Sequence, residues 1–280
     1  MDPQPDWHQI FSSCKENVRK HIQPLLKPSQ EPLPNLGTGA GGDPIKLVDL
    51  VAEKSIVEIL LKNNISFTIV SEETGIKQYG TPPNDYFITV DPIDGTNNLI
   101  RGLPFFASSI AISKEPCLSK VFAGAVTDLN HNIIYTAEID KGAFRNGDKI
   151  TTSKADSLRE AMIGLDVNTV KIKEIVPQLT NLIRKTKHIR HFGANALELC
   201  YVADGSTEAF IDLRGKIRTT DVAAAFLIIK EAGGIVTTPE GEPIEATLDP
   251  TQRLKFVASG NSQLHKIILN LIQPRKEQKC

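Results

Sequence analysis

The run 86–90, Tyr-Phe-Ile-Thr-Val, passes without a break into Asp91-Pro92-Ile93-Asp94-Gly95-Thr96. An apolar strand that ends on two carboxylates has to leave its sheet there, and open α/β sheets place ligands at such strand ends. Pro92 withholds a ladder donor and Gly95 permits a sharp turn. A short helix opening at Gly95-Thr96-Asn97 would offer free N–H groups to an anion. A solvated DPxDG surface turn accounts for the same string equally well while it stands alone.

Two more acids weigh on that choice. Ser71-Glu72-Glu73 follows a second apolar run, 65–70, and strands adjacent in one sheet would bring Glu72 beside Asp91. Asp221 heads the apolar helix 222–229, where its ordinary role is a helix cap, and one residue can serve both roles. Like charges about 4 Å apart cost on the order of 4 kcal/mol per pair at an effective dielectric near 20. Converging acids therefore call for counter-charges. Hard divalent cations that take oxygen ligands supply them, magnesium above all where a phosphate completes the shell. The absence of histidine beside these motifs speaks against zinc or copper.

The rest of the chain supports a mixed α/β architecture. Helical spacing covers 7–26 and 46–63, separated by prolines at 24, 28, 32 and 34 and a glycine-rich loop, 35–44. Strand patterns follow at 104–113, 121–129, 133–138 and 143–146, an antiparallel-looking meander. The second half alternates: strand 162–166, helices 172–185 and 194–203, strand 208–213, helix 221–232 closed by Gly233-Gly234, strand 255–259 and helix 262–272. The expected unit is 1–280, with halves 1–155 and 156–280 that both contribute to the site. The tail 275–279 is expected to fray.

With 32 basic and 33 acidic side chains, no bulk charge favours nucleic acid or a membrane surface. Cys14, Cys117, Cys200 and Cys280 form no CxxC pair, and no run approaches the roughly 20 apolar residues of a membrane span, so the cytoplasm is the expected location. The loop Gly37-x-Gly39-x-x-Gly42 matches a dinucleotide fingerprint literally, yet no strand precedes it and Pro44 follows. A mobile lid is the better account.

Three strings, SEETG (71–75), DPIDGTNN (91–98) and TDVAAAFLIIKEAGG (220–234), resemble the signature motifs of the inositol monophosphatase and fructose-1,6-bisphosphatase superfamily. The segment from Asp43 to Asp49 resembles its DxxxxxD motif, and GANALELCYVADG (193–205) resembles its archaeal-type bifunctional members. The resemblance implies a five-layer αβαβα sandwich and direct in-line attack of metal-activated water on a phosphomonoester. It implies two or three magnesium ions, with manganese as a substitute. Glu72, Asp91 and the Ile93 carbonyl would hold one ion, and Asp91, Asp94 and Asp221 a second. Thr96 and Asp49, with Glu72, would ready the water, and Gly95, Thr96 and Asn97 would receive the phosphate. The implied substrates are small sugar or polyol phosphates, fructose 1,6-bisphosphate and inositol 1-phosphate, in gluconeogenic carbohydrate metabolism; the implied assembly is a homodimer.

Asp212 lies near the family's hydroxyl-binding glutamate, but the segment from there to Asp221 is about two residues longer. It brings Arg214, Lys216 and Arg218, which with Arg190 would suit a second phosphate, since arginine's planar fork matches phosphate oxygens. A solvated basic strand end is the alternative. Gly193, Ala194, Asn195 and Tyr201 are placed against the sugar. Competing readings are a 3′(2′),5′-bisphosphate nucleotidase, a covalent aspartyl phosphatase using Asp91, and a non-catalytic magnesium- and phosphate-binding regulator. The loop lysine of many inositol phosphatases has no counterpart ahead of Asp43.

Overall fold

Alternation along the strands decides the layering. A computed structural model describes residues 5–26, 36–82 and 85–272; Pro28, Pro32, Pro34 and the tail 275–279 lie outside the described residues. The chain opens with α1 (Trp7–Ile22) and α2 (Leu47–Lys62), followed by β1 (Phe67–Ser71), β2 (Gly75–Tyr79), β3 (Tyr86–Asp94) and the short α3 (Thr96–Ile100). The meander follows as β4 (Ala107–Ser113), β5 (Val121–Asp128), β6 (Ile133–Glu138), β7 (Gly142–Arg145) and β8 (Asp148–Ile150). The second half comprises β9 (Met162–Leu165), α4 (Ile172–Lys185), β10 (His188–Arg190), α5 (Asn195–Ala203), β11 (Ala209–Arg218), α6 (Thr219–Glu231), β12 (Ile235–Thr237), β13 (Arg253–Ser259) and α7 (Ser262–Ile272).

Eight strands form one sheet in the order β2-β1-β3-β4-β5-β6-β7-β8, and five form another in the order β10-β9-β11-β13-β12. Successive side chains on a strand face opposite sides. Ala125 and Ile134 therefore pack with Trp7, Phe11 and Ile56 of α1 and α2. Their neighbours Val126 and Tyr135 pack with α5 and α6. In the second sheet Phe210 and Phe256 face α5 and α6, while Ile211 and Val257 join Leu179 of α4 and Ile268 of α7. The layers run α1/α2, large sheet, α5/α6, small sheet, α4/α7. This is the αβαβα sandwich that the resemblance implies.

The middle layer shows why α6 lacks a polar face. Every residue from Thr219 to Ile229 is buried, because both sides of the helix meet a sheet. Gly124 on β5 has a packing reason as well: a Cβ there would lie 3.0 Å from the Ala224 Cα. The short strands β2, β8, β10 and β12 leave no period in the sequence, since three to five residues rarely carry a recognisable one.

Candidate metal and phosphate site

β1 and β3 are parallel, with Ser71 opposite Val90, so Glu72, just past the end of β1, lies beside Asp91. β3 does not stop at Pro92 as the sequence suggests. It continues to Asp94 across a bulge: Asp91 pairs with Ser109, and Asp94, three residues on, pairs with Ala107, two residues back. In a regular strand residues three apart face opposite sides; one extra residue restores Asp94 to the side of Asp91. Pro92, which has no N–H to give, sits in the bulge.

The first turn of α6 delivers Asp221. Its Oδ2 accepts the Arg218 amide at 3.0 Å and its Oδ1 the Thr220 hydroxyl at 3.0 Å. The carboxylate thus caps its own helix while it faces the strand ends. Glu72, Asp91 and Asp221 each place a carboxylate oxygen within 4.8 Å of the others. Asp94 is buried nearby, with Oδ2 accepting the Ala196 amide at 2.6 Å.

These acids are held far from their ordinary protonation range. Burial, then the charge of Asp221, pushes Glu72 up to about 9, although Arg218 opposes the shift. Burial and then Glu72, Asp94 and Asp221 raise Asp91 well above the carboxylate range. Burial and Asp221 bring Asp94 to about 7, and burial raises Asp221 against the pull of Arg218. Glu73 is pushed up to about 8 by burial and by Asp49, and its buried Oε2 finds no hydrogen-bond partner among the described residues. Crowded, desolvated carboxylates with an orphaned oxygen make an oxygen-only donor set. A hard divalent cation fits it, and its charge would answer the repulsion that raises these pKa values.

Beside the acids, α2 brings in Asp49. Thr96 Oγ1 lies 3.1 Å from Asp49 Oδ1 and 2.8 Å from the Ile93 carbonyl oxygen. Burial moves Asp49 up to about 7 against the hydrogen bond from Thr96. Gly95, at φ +87°, has no room for a side chain: a Cβ would lie 3.0 Å from the Ala194 Cβ and 3.1 Å from the Phe105 carbonyl. Asn97 is exposed, whereas Asn98 Nδ2 donates to the carbonyls of Phe105 at 2.8 Å and Phe192 at 2.6 Å. The 192–196 turn is thereby fastened to the 93–98 turn, with Ala194 buried between them and the Asn195 Oδ1 buried without a hydrogen-bond partner among the described residues. Tyr201 packs edge-on against Phe105 and Phe192.

The basic residues do not form one group. β11 bulges between Asp212 and Ile217, which absorbs the extra residues of that segment. On the bulge, Arg214 pairs with both Asp212 and Asp166, and Lys216 Nζ donates to the Asn168 carbonyl at 2.9 Å. Arg190 is exposed and bonds its neighbour's carbonyl, that of Ile189. Arg218 turns instead to the acidic site: it pairs with Glu72 at 2.8 Å and with Asp43.

Four residues with no role assigned from the sequence hold the frame. Glu198 Oε1 accepts the Phe192 and Gly193 amides at 2.9 and 3.0 Å. Glu53 accepts the hydroxyls of Ser71 and Thr74. Asn98 and Arg253 act on the 192–196 turn and the Gly41 carbonyl. A carboxylate inside an otherwise apolar helical face was the available signal for Glu53 and Glu198.

Known proteins share this frame. Residues 11–277 match the profile of the inositol monophosphatase family. The chain is 35% identical over 276 residues to a fructose-1,6-bisphosphatase/inositol-1-monophosphatase of Methanothermobacter thermautotrophicus, covering 95% of this chain and 96% of that one. It is 33% identical over 289 residues to a bifunctional NADP phosphatase/NAD kinase of Methanococcus maripaludis, covering 96% of this chain and half of that longer one. A solved inositol monophosphatase–fructose 1,6-bisphosphatase superposes with a TM-score of 0.83 at 31% identity, over 95% of this chain and all of the other. Sequence match, shared fold and the convergence of the motif acids agree: this chain belongs to the inositol monophosphatase family of phosphoric monoester hydrolases.

Proposed function

We propose that the protein hydrolyses phosphomonoesters of small sugars and polyols, fructose 1,6-bisphosphate and inositol 1-phosphate foremost, with magnesium held by Glu72, Asp91, Asp94, Asp221 and the Ile93 carbonyl. The observation that carries the proposal is the meeting of Glu72, Asp91 and Asp221 oxygens within 4.8 Å, drawn from two strand ends and a helix start. Bound magnesium supplies Lewis-acid polarisation of the phosphate and positive charge against the carboxylates.

The chain's own groups do the rest. Thr96 Oγ1, between Asp49 and the Ile93 carbonyl, takes a proton from the attacking water as it hands its own to Asp49 Oδ1, so its hydroxyl is restored while the departing sugar oxygen takes a proton from solvent. Burial makes Asp49 a better proton acceptor than a solvated carboxylate. The amides of Gly95 and Thr96 donate to the phosphate oxygens as negative charge grows there. Asn98 and Glu198 keep the 192–196 turn against that loop, so the sugar meets a pre-formed wall that includes Asn195 and Tyr201. For a second phosphate, Lys216 and Arg190 are the exposed cations, whereas Arg214 and Arg218 already face carboxylates.

The relative named as an NADP phosphatase/NAD kinase favours a second reading, a phosphatase acting on a nucleotide phosphate. Phosphate release from fructose 1,6-bisphosphate, inositol 1-phosphate, NADP and a 3′-phosphoadenosine compound, each with and without magnesium, separates the readings. Asp94→Asn should abolish release from every substrate. Lys216→Ala should lower kcat/KM on the bisphosphate alone, and equal losses on all substrates would reject the second-phosphate role. A protein that releases phosphate from none of them would refute the proposal. We also propose a homodimer, which light scattering tests; no helix among the described residues is long and apolar enough to cross a membrane.

A further inference from the structure

The loop 36–46 is docked on the acidic site. The Gly41 amide donates to the Glu72 carbonyl at 2.7 Å, the Ala40 amide to the Glu73 carbonyl at 3.1 Å, and the Gly39 amide to the Asp43 carbonyl at 2.8 Å. Two arginines from the other sheet reach across to hold it. Arg253 Nη2 donates to the Gly41 carbonyl at 2.7 Å. Arg218 donates to the same carbonyl through Nε and Nη2, at 3.3 and 3.2 Å, and pairs with Asp43. The fit is close, since a Cβ on Gly41 would stand 2.7 Å from the Arg218 Nε and 2.9 Å from the Glu72 Cγ.

Arg218 does something else at the same time. Its Nη1 lies 2.8 Å from Glu72 Oε1 and 4.0 Å from Asp221 Oδ1, two of the three carboxylates that meet within 4.8 Å. A cation settling among those oxygens therefore faces the guanidinium as a like charge close by. One side chain thus touches both the loop and the acids.

We propose that Arg218 is a positioning residue that couples the two events in opposition: it fastens the 39–43 loop and lowers the affinity of the acidic site for its divalent cation. The inference rests on the metal-site reading given above. Linkage makes the coupling reciprocal, so cation binding loosens the loop as much as loop docking weakens the cation. The guanidinium's fork serves the loop and its charge serves the acids, and substitution can separate these two properties.

The test uses the full chain with Mn2+ as the probe. Free Mn2+ is followed by electron paramagnetic resonance, and amide exchange over 36–46 by mass spectrometry. In the wild type, Mn2+ should speed exchange in that segment. Arg218→Met should bind Mn2+ about tenfold more tightly or better, because a like charge beside the site is gone. The same variant should exchange the segment fast without metal and respond no further. Arg218→Lys keeps the charge and loses the fork: the loop should exchange fast without metal, and Mn2+ affinity should rise, but by less than in Arg218→Met. Unchanged exchange in α4 and α7 certifies the fold of each variant. Weaker or equal Mn2+ binding by Arg218→Met would overturn the inference. So would wild-type loop exchange that slows or stays constant on adding Mn2+. A wild type that binds no Mn2+ would remove the metal site itself, and the coupling with it, which distinguishes that failure from the others.

Discussion

Removing divalent metal should make the stability of this protein fall as pH rises, the reverse of ordinary acid denaturation. Asp49 and Asp94 are buried and titrate in the folded state near 7, against 3.8 for the free side chain. A folded-state pKa above the unfolded one means that the folded chain retains protons the unfolded chain has lost. The resulting stability is complete below about pH 4 and is lost as pH climbs through about 7. Each proton retained in that window costs about 1.4 kcal/mol of stability per pH unit of rise. Asp49 alone would thus contribute a loss of roughly 4 kcal/mol across it. Metal should reverse the trend, because ligands must be deprotonated to bind, and a cation at about 100 times its Kd adds about 2.7 kcal/mol. The assay is urea unfolding at half-unit steps from pH 5 to 8, in EDTA and in excess magnesium. The gap between the two curves should widen with pH and shrink in Glu72→Gln. Taking the gap removes groups remote from the site that titrate in both series. A gap that is constant or narrows with rising pH would refute the reasoning.

Thr96→Val removes the hydroxyl between Asp49 and the Ile93 carbonyl at nearly constant volume. It should lower kcat by roughly 100- to 1,000-fold with KM almost unchanged, measured as phosphate release. Gly95→Ala forces a side chain into φ +87° and against the Ala194 Cβ and the Phe105 carbonyl, and should cost about 2–3 kcal/mol in urea unfolding. His265 is buried between Ser259 and Thr237 hydroxyls, 2.7 and 2.9 Å away, and burial lowers its pKa. Its neutral form favours the fold, so that stability is complete above the unfolded value of 6.5 and lost as pH falls below it. Replacing it by Gln should flatten the acid limb of the stability curve in both metal series.

Legibility in the sequence followed the physics of each element. Long amphipathic or uniformly apolar segments such as α1, α4, α6 and α7 announce themselves by period and length. The adjacency of β1 and β3 was foreseeable, because two apolar runs each discharged into carboxylates; their parallel direction came from the structure. Glu198 was hidden because its role is to receive two amides of a turn five and six residues upstream, a geometry with no periodic trace. The division of the basic residues was hidden too: Arg214 and Arg218 lie four positions apart on β11, yet the bulge that carries Arg214 ends before Arg218, and each meets different acids.

By itself the sequence determined the layered α/β class, the family and the candidate ligands, because burial period and motif chemistry are local properties of the chain. Tertiary structure alone decided that Asp91 and Asp94 share a side, since strand parity sets them apart and only the bulge at Pro92 reunites them. It likewise decided that Arg218 serves the acids and the loop. Which partner a charged side chain meets depends on what the other sheet brings within a few ångströms, and no spacing along the chain encodes that distance.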